Sequence, residues 1–226
     1  MNRLTNVVSR ALPRPAVFRF VLAVLVLCLG ACAGILNPGP PVTQLLLPVA
    51  VPQVEQAKKT LPVQLLVSRP LAPTSTNLDR ILAVMNGHEL KALDSARWAE
   101  PIPVVLHRQI VEVLYTSGLF RSVTREESTQ DSDVRLETEI TRFHLYYEAP
   151  DKMPTVRVGC RFSLVEMGTG KLLGKSHFER TTPCEQNSVD AFVRAFSTAW
   201  SGILADVRGW VATALTGYSV PKNPVL

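Results

Sequence analysis

Residues 134–140 read VRLETEI and residues 156–164 read VRVGCRFSL, and these two stretches decide the fold. In each stretch, apolar and polar residues alternate, so the apolar side chains fall on one face of an extended strand. A strand with one apolar and one polar face belongs to a sheet that is covered on one side only. Gly168-Thr169-Gly170 then predicts a turn into a third strand, Leu172–Arg180. The centre of the protein is therefore predicted to be an antiparallel sheet.

The carboxyl-terminal part of the chain predicts a long helix that covers this sheet. Ser188 is a suitable N-cap, Asp190 suits the first turn, and Gly217 can end the helix. Between them, apolar residues recur at helical spacing: Val189, Phe192, Val193, Phe196, Trp200, Ile203, Leu204, Val207, Val211 and Leu215. A helix with one continuous apolar stripe packs along a sheet, which predicts an α+β sandwich.

The residues before the central sheet predict further strands. Two β-rich apolar runs, Gln44–Val51 and Val63–Ser68, are bounded by prolines, which favour strand ends or sheet edges. Asn86-Gly87 tolerates positive φ and predicts a hairpin between Arg80–Val84 and His88–Leu93.

A shorter helix is predicted after this hairpin. Pro101 and Pro103 suit its first turn, and Gly118 suits the position just after its end. Leu119–Thr124 follows as a short strand. The predicted fold class is α+β, a mostly antiparallel sheet packed against two helices, the second long and carboxyl-terminal.

The amino terminus predicts export from the cytoplasm. Residues 1–31 contain four arginines and no acidic residue, and Val21–Leu29 is an uninterrupted apolar run. A cationic segment, a short apolar segment and small residues are the layout of a signal peptide. A membrane-spanning anchor is the less favoured alternative, because a spanning helix needs about 20 apolar residues.

Leu29-Gly30-Ala31-Cys32 resembles the lipobox of bacterial lipoproteins. The resemblance implies lipid attachment at Cys32, through a thioether to diacylglycerol and an amide-linked acyl chain such as palmitate. Several long chains anchor a protein far more firmly than one. Ala33 stands where an aspartate would favour the inner membrane, so the outer membrane is expected, with the domain facing the periplasm. The alternative is that Cys32 is an incidental thiol near an ordinary cleavage site.

The chain accordingly divides into four predicted parts. Residues 1–31 are the lipoprotein signal peptide, and residues 32–42 are the lipidated cysteine and a proline-rich tether. Residues 43–217 are the folded domain, and residues 218–226 are a carboxyl-terminal tail. Ten tether residues in an extended conformation reach about 30 Å.

Charge argues against nucleic acid as a partner. The chain has 24 basic and 19 acidic residues, and residues 1–31 hold four of the basic ones. The 20 that remain leave the exported part nearly neutral, without the basic stripe that nucleic-acid binding requires.

Several motifs together resemble the PqiC/YmbA-type ABC-transport auxiliary lipoproteins. They are Arg97-Trp98-Ala99-Glu100-Pro101, the helix after it, Gly118–Val123, the strand ending in Arg142-Phe143, and the aromatic-rich terminal helix. The resemblance covers residues 43–216. The sequence departs from the family in lacking a tyrosine in the first strand and in carrying Cys160 and Cys184.

The resemblance implies a non-enzymatic, outer-membrane component of a transport system for phospholipids or other hydrophobic molecules. Its implied partners are an MCE-domain substrate-binding protein and an ABC permease with its ATPase. It leaves open whether several copies form a homo-oligomeric ring. The alternative is a structural or assembly lipoprotein of the envelope that is unrelated to lipid transport.

Cys160 and Cys184 are candidates for a disulfide, because an oxidising compartment favours pairing. Cys160 lies on the apolar face of its strand, and its direct partner across the hairpin falls near Phe178. Cys184 would have to fold back to reach it, and two buried free thiols are the alternative.

Trp98 and Trp200 are candidates for an interaction surface, since aromatic residues are enriched there; the alternative is core packing. No cofactor, metal site or catalytic set is predicted. The four histidines lack metal-ligand spacing: His88, His107, His144 and His177. Glu137 and Glu139 lie on the polar face of one strand, where a solvated pair is the ordinary interpretation.

Overall fold

This computed structural model describes Arg19 and residues 42–49, 60–125 and 132–219. The strands are β1 (Thr43–Leu45), β2 (Leu61–Val67), β3 (Arg80–Met85), β4 (Glu89–Trp98), β5 (Phe120–Arg125), β6 (Val134–Tyr146), β7 (Thr155–Glu166) and β8 (Leu172–Pro183). The helices are α1 (Ile102–Thr116) and α2 (Val189–Ala214). None of the helices in the described part of the chain is both long and apolar enough to cross a bilayer.

The sheet is organised around β6, its longest strand. Along one edge β6 pairs antiparallel with β7 over its whole length, and β7 pairs antiparallel with β8. Along the other edge, the start of β6 pairs with β2 and its end pairs with β3, both in parallel. β5 continues the sheet beyond β2, and β4 and β1 continue it beyond β3.

The predicted α+β fold class is confirmed, and the sheet is mixed. Its longest ladders are antiparallel, as the alternating pattern predicted, while β1–β4, β2–β5, β2–β6 and β3–β6 are parallel. The first predicted strand is shorter than expected. It ends at Leu45, and residues 46–49 lie outside it, whereas Ala50 and Val51 fall outside the described residues.

Turn and cap residues stand where the sequence predicted them. Asn86 and Gly87 both adopt positive φ, 53° and 76°, in the turn between β3 and β4. Gly118 adopts φ 63° just after α1. The Ser188 side chain accepts a hydrogen bond from the Ala191 backbone N–H, as an N-cap does. Local chemistry alone therefore accounts for these boundaries.

The core lies between one face of the sheet and the two helices. The inward side chains of β6 and β7, such as Leu136 and Phe162, are fully buried in one cluster with residues of both helices. At the centre, Trp98 meets Phe196 edge to face with ring centroids 5.4 Å apart, and Phe143 stacks on Phe196 at 4.7 Å. These rings join β4, β6 and α2 in one hydrophobic cluster.

Candidate interaction surface

The candidate surface is the face of β6, β7 and β8 that turns away from both helices, here called the open face. Alternation along each strand places charged and polar side chains on it. Its members are Arg135, Glu137, Glu139, Arg142, His144 and Tyr146 on β6, Arg157, Gly159, Arg161 and Ser163 on β7, and Lys175, His177, Glu179 and Thr181 on β8. Five of these side chains are cationic and three are anionic, so the open face carries a net positive charge.

An ion pair reaches across the middle strand of the open face. Arg142 of β6 is bonded to Glu179 of β8, and Gly159 of β7 lies between them. A Cβ at Gly159 would stand 2.8 Å from Thr141 Oγ1. Thr141 is the extra residue of a bulge in β6, so the glycine makes room for the bulge.

Further ion pairs order the rest of the open face. Arg161 donates to both carboxylate oxygens of Glu139, at 2.9 and 3.1 Å. Arg135 Nη2 lies 2.9 Å from Glu137 Oε1. Exposed pairs of this kind stabilise a fold by only about 0–1 kcal/mol each. Their main effect is to hold the guanidinium groups in fixed positions on the open face.

One end of the open face has a cation over an aromatic ring. The guanidinium carbon of Arg157 lies 3.5 Å from the centre of the Tyr146 ring, a cation–π contact. Beside it, partial burial lowers the pKa of His144, and the nearby Arg157 and Arg142 lower it further. This imidazole is therefore held in its neutral form over a wider pH range than a free histidine.

A cleft of about 620 Å³ lies where the chain leaves β2. Its volume falls within the range of small-molecule sites, about 300–1,000 Å³. Leu71 bridges to β6 there, since its N–H donates to Thr138 O and its carbonyl accepts from Ile140 N. Pro70 and Ala72 make one wall apolar, while Arg135 and Glu137 belong to its polar lining. The cleft therefore combines apolar and charged walls at the margin of the open face.

The predicted interaction role of Trp98 and Trp200 is wrong. Their exposed fractions are 1% and 0%, so the alternative of core packing is confirmed. Trp98 lies on the apolar side of β4 and packs against Phe196 of α2. Trp200 lies on the apolar side of α2 and bonds to Gln109 of α1. Trp210, in contrast, is half-buried, with its ring 6.4 Å from those of Phe162 and Phe178.

The structure also contradicts the predicted disulfide. Cys160 and Cys184 are both buried and free. Cys160 lies opposite Phe178, as predicted, but Cys184 donates its backbone N–H to Pro154. Cys160 lies six positions after Pro154, about 20 Å along an extended strand. A disulfide requires Cα atoms within about 7 Å, so the rigid hairpin keeps the thiols apart.

The remaining site predictions concern the lipidated cysteine, metal ligands, the histidines and a pair of glutamates. Cys32 lies outside the described residues. Within the described residues, no cluster of three or more His, Cys, Asp or Glu could hold a metal ion. His107 is a buried core histidine whose Nε2 lies 2.9 Å from Val67 O. Glu137 and Glu139 lie on the polar face of β6, as predicted. The arginines that pair with them were not predicted as site residues, although the same alternation places them on this face.

Most of the folded domain matches one protein family. Residues 45–208 match the family of ABC-type transport auxiliary lipoprotein components. The chain belongs to this family. Membership places the auxiliary lipoprotein in the cell envelope with a lipid anchor, and it implies partner proteins in an ABC-type transport system.

Solved structures support the fold. Protein XCC0632 from Xanthomonas campestris is 22% identical with a TM-score of 0.69, over 77% of this chain and 98% of that one. An uncharacterized protein is 16% identical with a TM-score of 0.59, over 76% of this chain and 99% of that one. No match was found among curated proteins. At these identities, the likeness of the auxiliary lipoprotein to both structures concerns the fold alone.

Proposed function

We propose that this auxiliary lipoprotein is a non-enzymatic, outer-membrane component of an MCE/ABC-type system that moves phospholipids or other hydrophobic molecules. It is anchored through Cys32, faces the periplasm, and binds an MCE-domain protein that works with the permease and ATPase. The observation that carries the proposal is the family match over residues 45–208, combined with the lipobox-like sequence at Cys32.

The architecture supports a binding role. In the part of the chain that the structure describes, core side chains fill the helix-covered side of the sheet. The open face, in contrast, presents guanidinium groups held by exposed carboxylates, such as Arg161 with Glu139. Such pairs cost little to rearrange, which suits docking to an acidic surface of the transport partner.

The lipid anchor is tested by Cys32→Ala. The variant should lack acyl chains by intact-mass analysis and should leave the outer-membrane fraction. Cys28→Ala is the matched control, because Cys28 follows bulky residues and should be lost with the signal peptide. Unchanged outer-membrane fractionation of Cys32→Ala would exclude the anchor.

The docking role is tested by crosslinked capture from intact envelopes. The wild-type lipoprotein should capture an MCE-domain protein, a permease and an ATPase, with co-purifying lipid detected by mass spectrometry. Arg157→Glu with Arg161→Glu should reduce the capture, whereas the control Arg194→Glu on the solvent-facing side of α2 should not. Capture of only peptidoglycan-associated or assembly proteins would contradict the proposal and favour a structural lipoprotein.

A further inference from the structure

The outer edge of β8 has no partner strand within the described residues. β8 is 12 residues long and pairs only with β7 among the described strands, so no strand bonds the backbone N–H and C=O groups of its other edge. One of these groups, the Glu179 carbonyl, accepts a hydrogen bond from Arg180 Nη1 at 3.0 Å, a bond that pairing with another strand would replace. A long, regular edge of this kind is a template for a strand of another chain.

The register of the β7–β8 ladder shows which residues of β8 face this edge. The Cys184 N–H donates to Pro154 O at 3.0 Å, and the same register continues through Cys160 opposite Phe178. In an antiparallel ladder, alternate residues turn their backbone groups toward the partner strand. The even-numbered residues of β8 therefore bond to β7. Lys175, His177 and Glu179 point their backbone groups outward.

We infer that β8 pairs antiparallel with β8 of a second copy of this chain, around a twofold axis at His177. In this register, Lys175 lies opposite Glu179 of the partner subunit, and the partner's Lys175 lies opposite Glu179. All four side chains lie on the open face, so the twofold creates two cross-strand pairs of opposite charge. Lys175 is exposed and has no ion pair among the described residues, so it is available for this contact.

Other registers lose this complementarity. A shift in one direction places Lys175 opposite His177 of the partner subunit, and a shift in the other direction places it opposite the partner's Thr181. A further shift in either direction brings Lys175 opposite its own copy, or Glu179 opposite its own copy, and like charges directly opposite are destabilising. The charge pattern of β8 therefore selects the register centred on His177.

The position of α2 is consistent with this pairing. α2 packs on both β7 and β8, so the twofold would place two copies of α2 about 10 Å apart, close to the distance of packed helices. The flank of α2 above β8 is marked by Gly202, whose missing Cβ would stand 3.4 Å from Arg180 Nε. Gly209 lies two turns further on the same flank with open space around it. The Arg180 side chain fills the space beside Gly202, whereas the open space at Gly209 allows a second helix to approach there.

Cysteine crosslinking in intact envelopes tests the contact. The His177→Cys variant of the full-length lipoprotein would have one cysteine from each subunit at the twofold axis. Their Cα atoms would be about 5.5 Å apart, which is within disulfide range. A covalent dimer should form under mild oxidation. Arg161→Cys is the matched control. Arg161 lies opposite His177 on β7, but the two copies of residue 161 in the dimer would be about 14 Å apart. The Arg161→Cys variant should therefore form no covalent dimer.

Charge exchange tests the register. Lys175→Glu or Glu179→Lys should each weaken dimerisation of the detergent-solubilised lipoprotein about tenfold or more, because two attractive pairs become repulsive. An equimolar mixture of the two variants should restore dimers, since the altered strands are complementary to each other. The mixture also controls for the Arg142 pair that Glu179→Lys disrupts.

The inference is overturned if Arg161→Cys crosslinks as fast as His177→Cys, if the mixed variants remain monomeric, or if the wild-type protein sediments as a monomer. A larger assembly in which His177→Cys forms no disulfide would also overturn it. None of these results bears on capture of the transport partners, so the pairing and the proposed function fail separately.

Discussion

The indole Nε1 of Trp200 donates a hydrogen bond to Oε1 of Gln109 over 2.8 Å. The same amide donates from Nε2 to the carbonyl of Leu47, also over 2.8 Å. One side chain on α1 thus joins α2 to the segment that follows β1. These two hydrogen bonds of Gln109 are here called the relay. Because the segment comes soon after the predicted tether, the relay connects the start of the folded domain to both of its helices.

Replacement of Trp200 by phenylalanine should destabilise the domain by about 2 kcal/mol. The variant loses the bond to Gln109 and leaves Oε1 without its donor in a part-buried site, in addition to a loss of volume. Urea denaturation should show a lower midpoint with an unchanged m-value. Trp210→Phe is the control, since Trp210 is half-buried and keeps an aromatic ring against Phe178; an equal loss in both variants would contradict a role for the relay.

Gly159→Ala should destabilise the domain by about 1–2 kcal/mol, because the new Cβ would overlap Thr141 Oγ1 and strain the bulge. Thermal unfolding measures the loss. Gly168→Ala has open space and should change stability little. Thr141→Ala should recover most of the loss in the double variant; if the two substitutions are simply additive, the contact does not explain the glycine.

Stability should depend on pH through His144. Burial lowers the pKa of His144 in the folded protein, and the nearby Arg157 and Arg142 lower it further. At a pH near the pKa of an unfolded histidine, this imidazole is therefore protonated more often in the unfolded chain than in the folded one. The free energy of unfolding should therefore fall as the pH is lowered from about 7 through about 6, where free histidine titrates. His144→Gln should reduce this slope in denaturant titrations at each pH, and an unchanged slope would assign it to other groups.

The two domain thiols should stay free and unreactive in the folded protein. Burial raises the pKa of Cys160 to about 12 and that of Cys184 to about 11, so neither is a thiolate at neutral pH. Alkylation followed by mass spectrometry should label both only after unfolding. A Cys160–Cys184 peptide in the non-reduced digest would show that the strand register differs from the one described.

The structure confirms the elements that depend on neighbouring residues. The hairpin turn at Asn86-Gly87, the cap at Ser188 and the end of α1 at Gly118 follow from the chemistry of a few adjacent residues. The errors concern distant residues. A disulfide between Cys160 and Cys184 was predicted because the sequence does not show how far β8 extends. An interaction surface at Trp98 and Trp200 was predicted because aromatic residues occur in cores and interfaces alike.

The sequence by itself determined the two faces of the central strands and the apolar stripe of α2, because both follow from the spacing of nearby residues. Only the tertiary structure decided that β6 pairs in parallel with β2 and β3, that Arg142 meets Glu179 over Gly159, and that β7 is the one partner strand of β8 among the described residues. The physical reason is that strand order and register depend on contacts between residues far apart in the chain, whereas alternation and capping depend on local geometry.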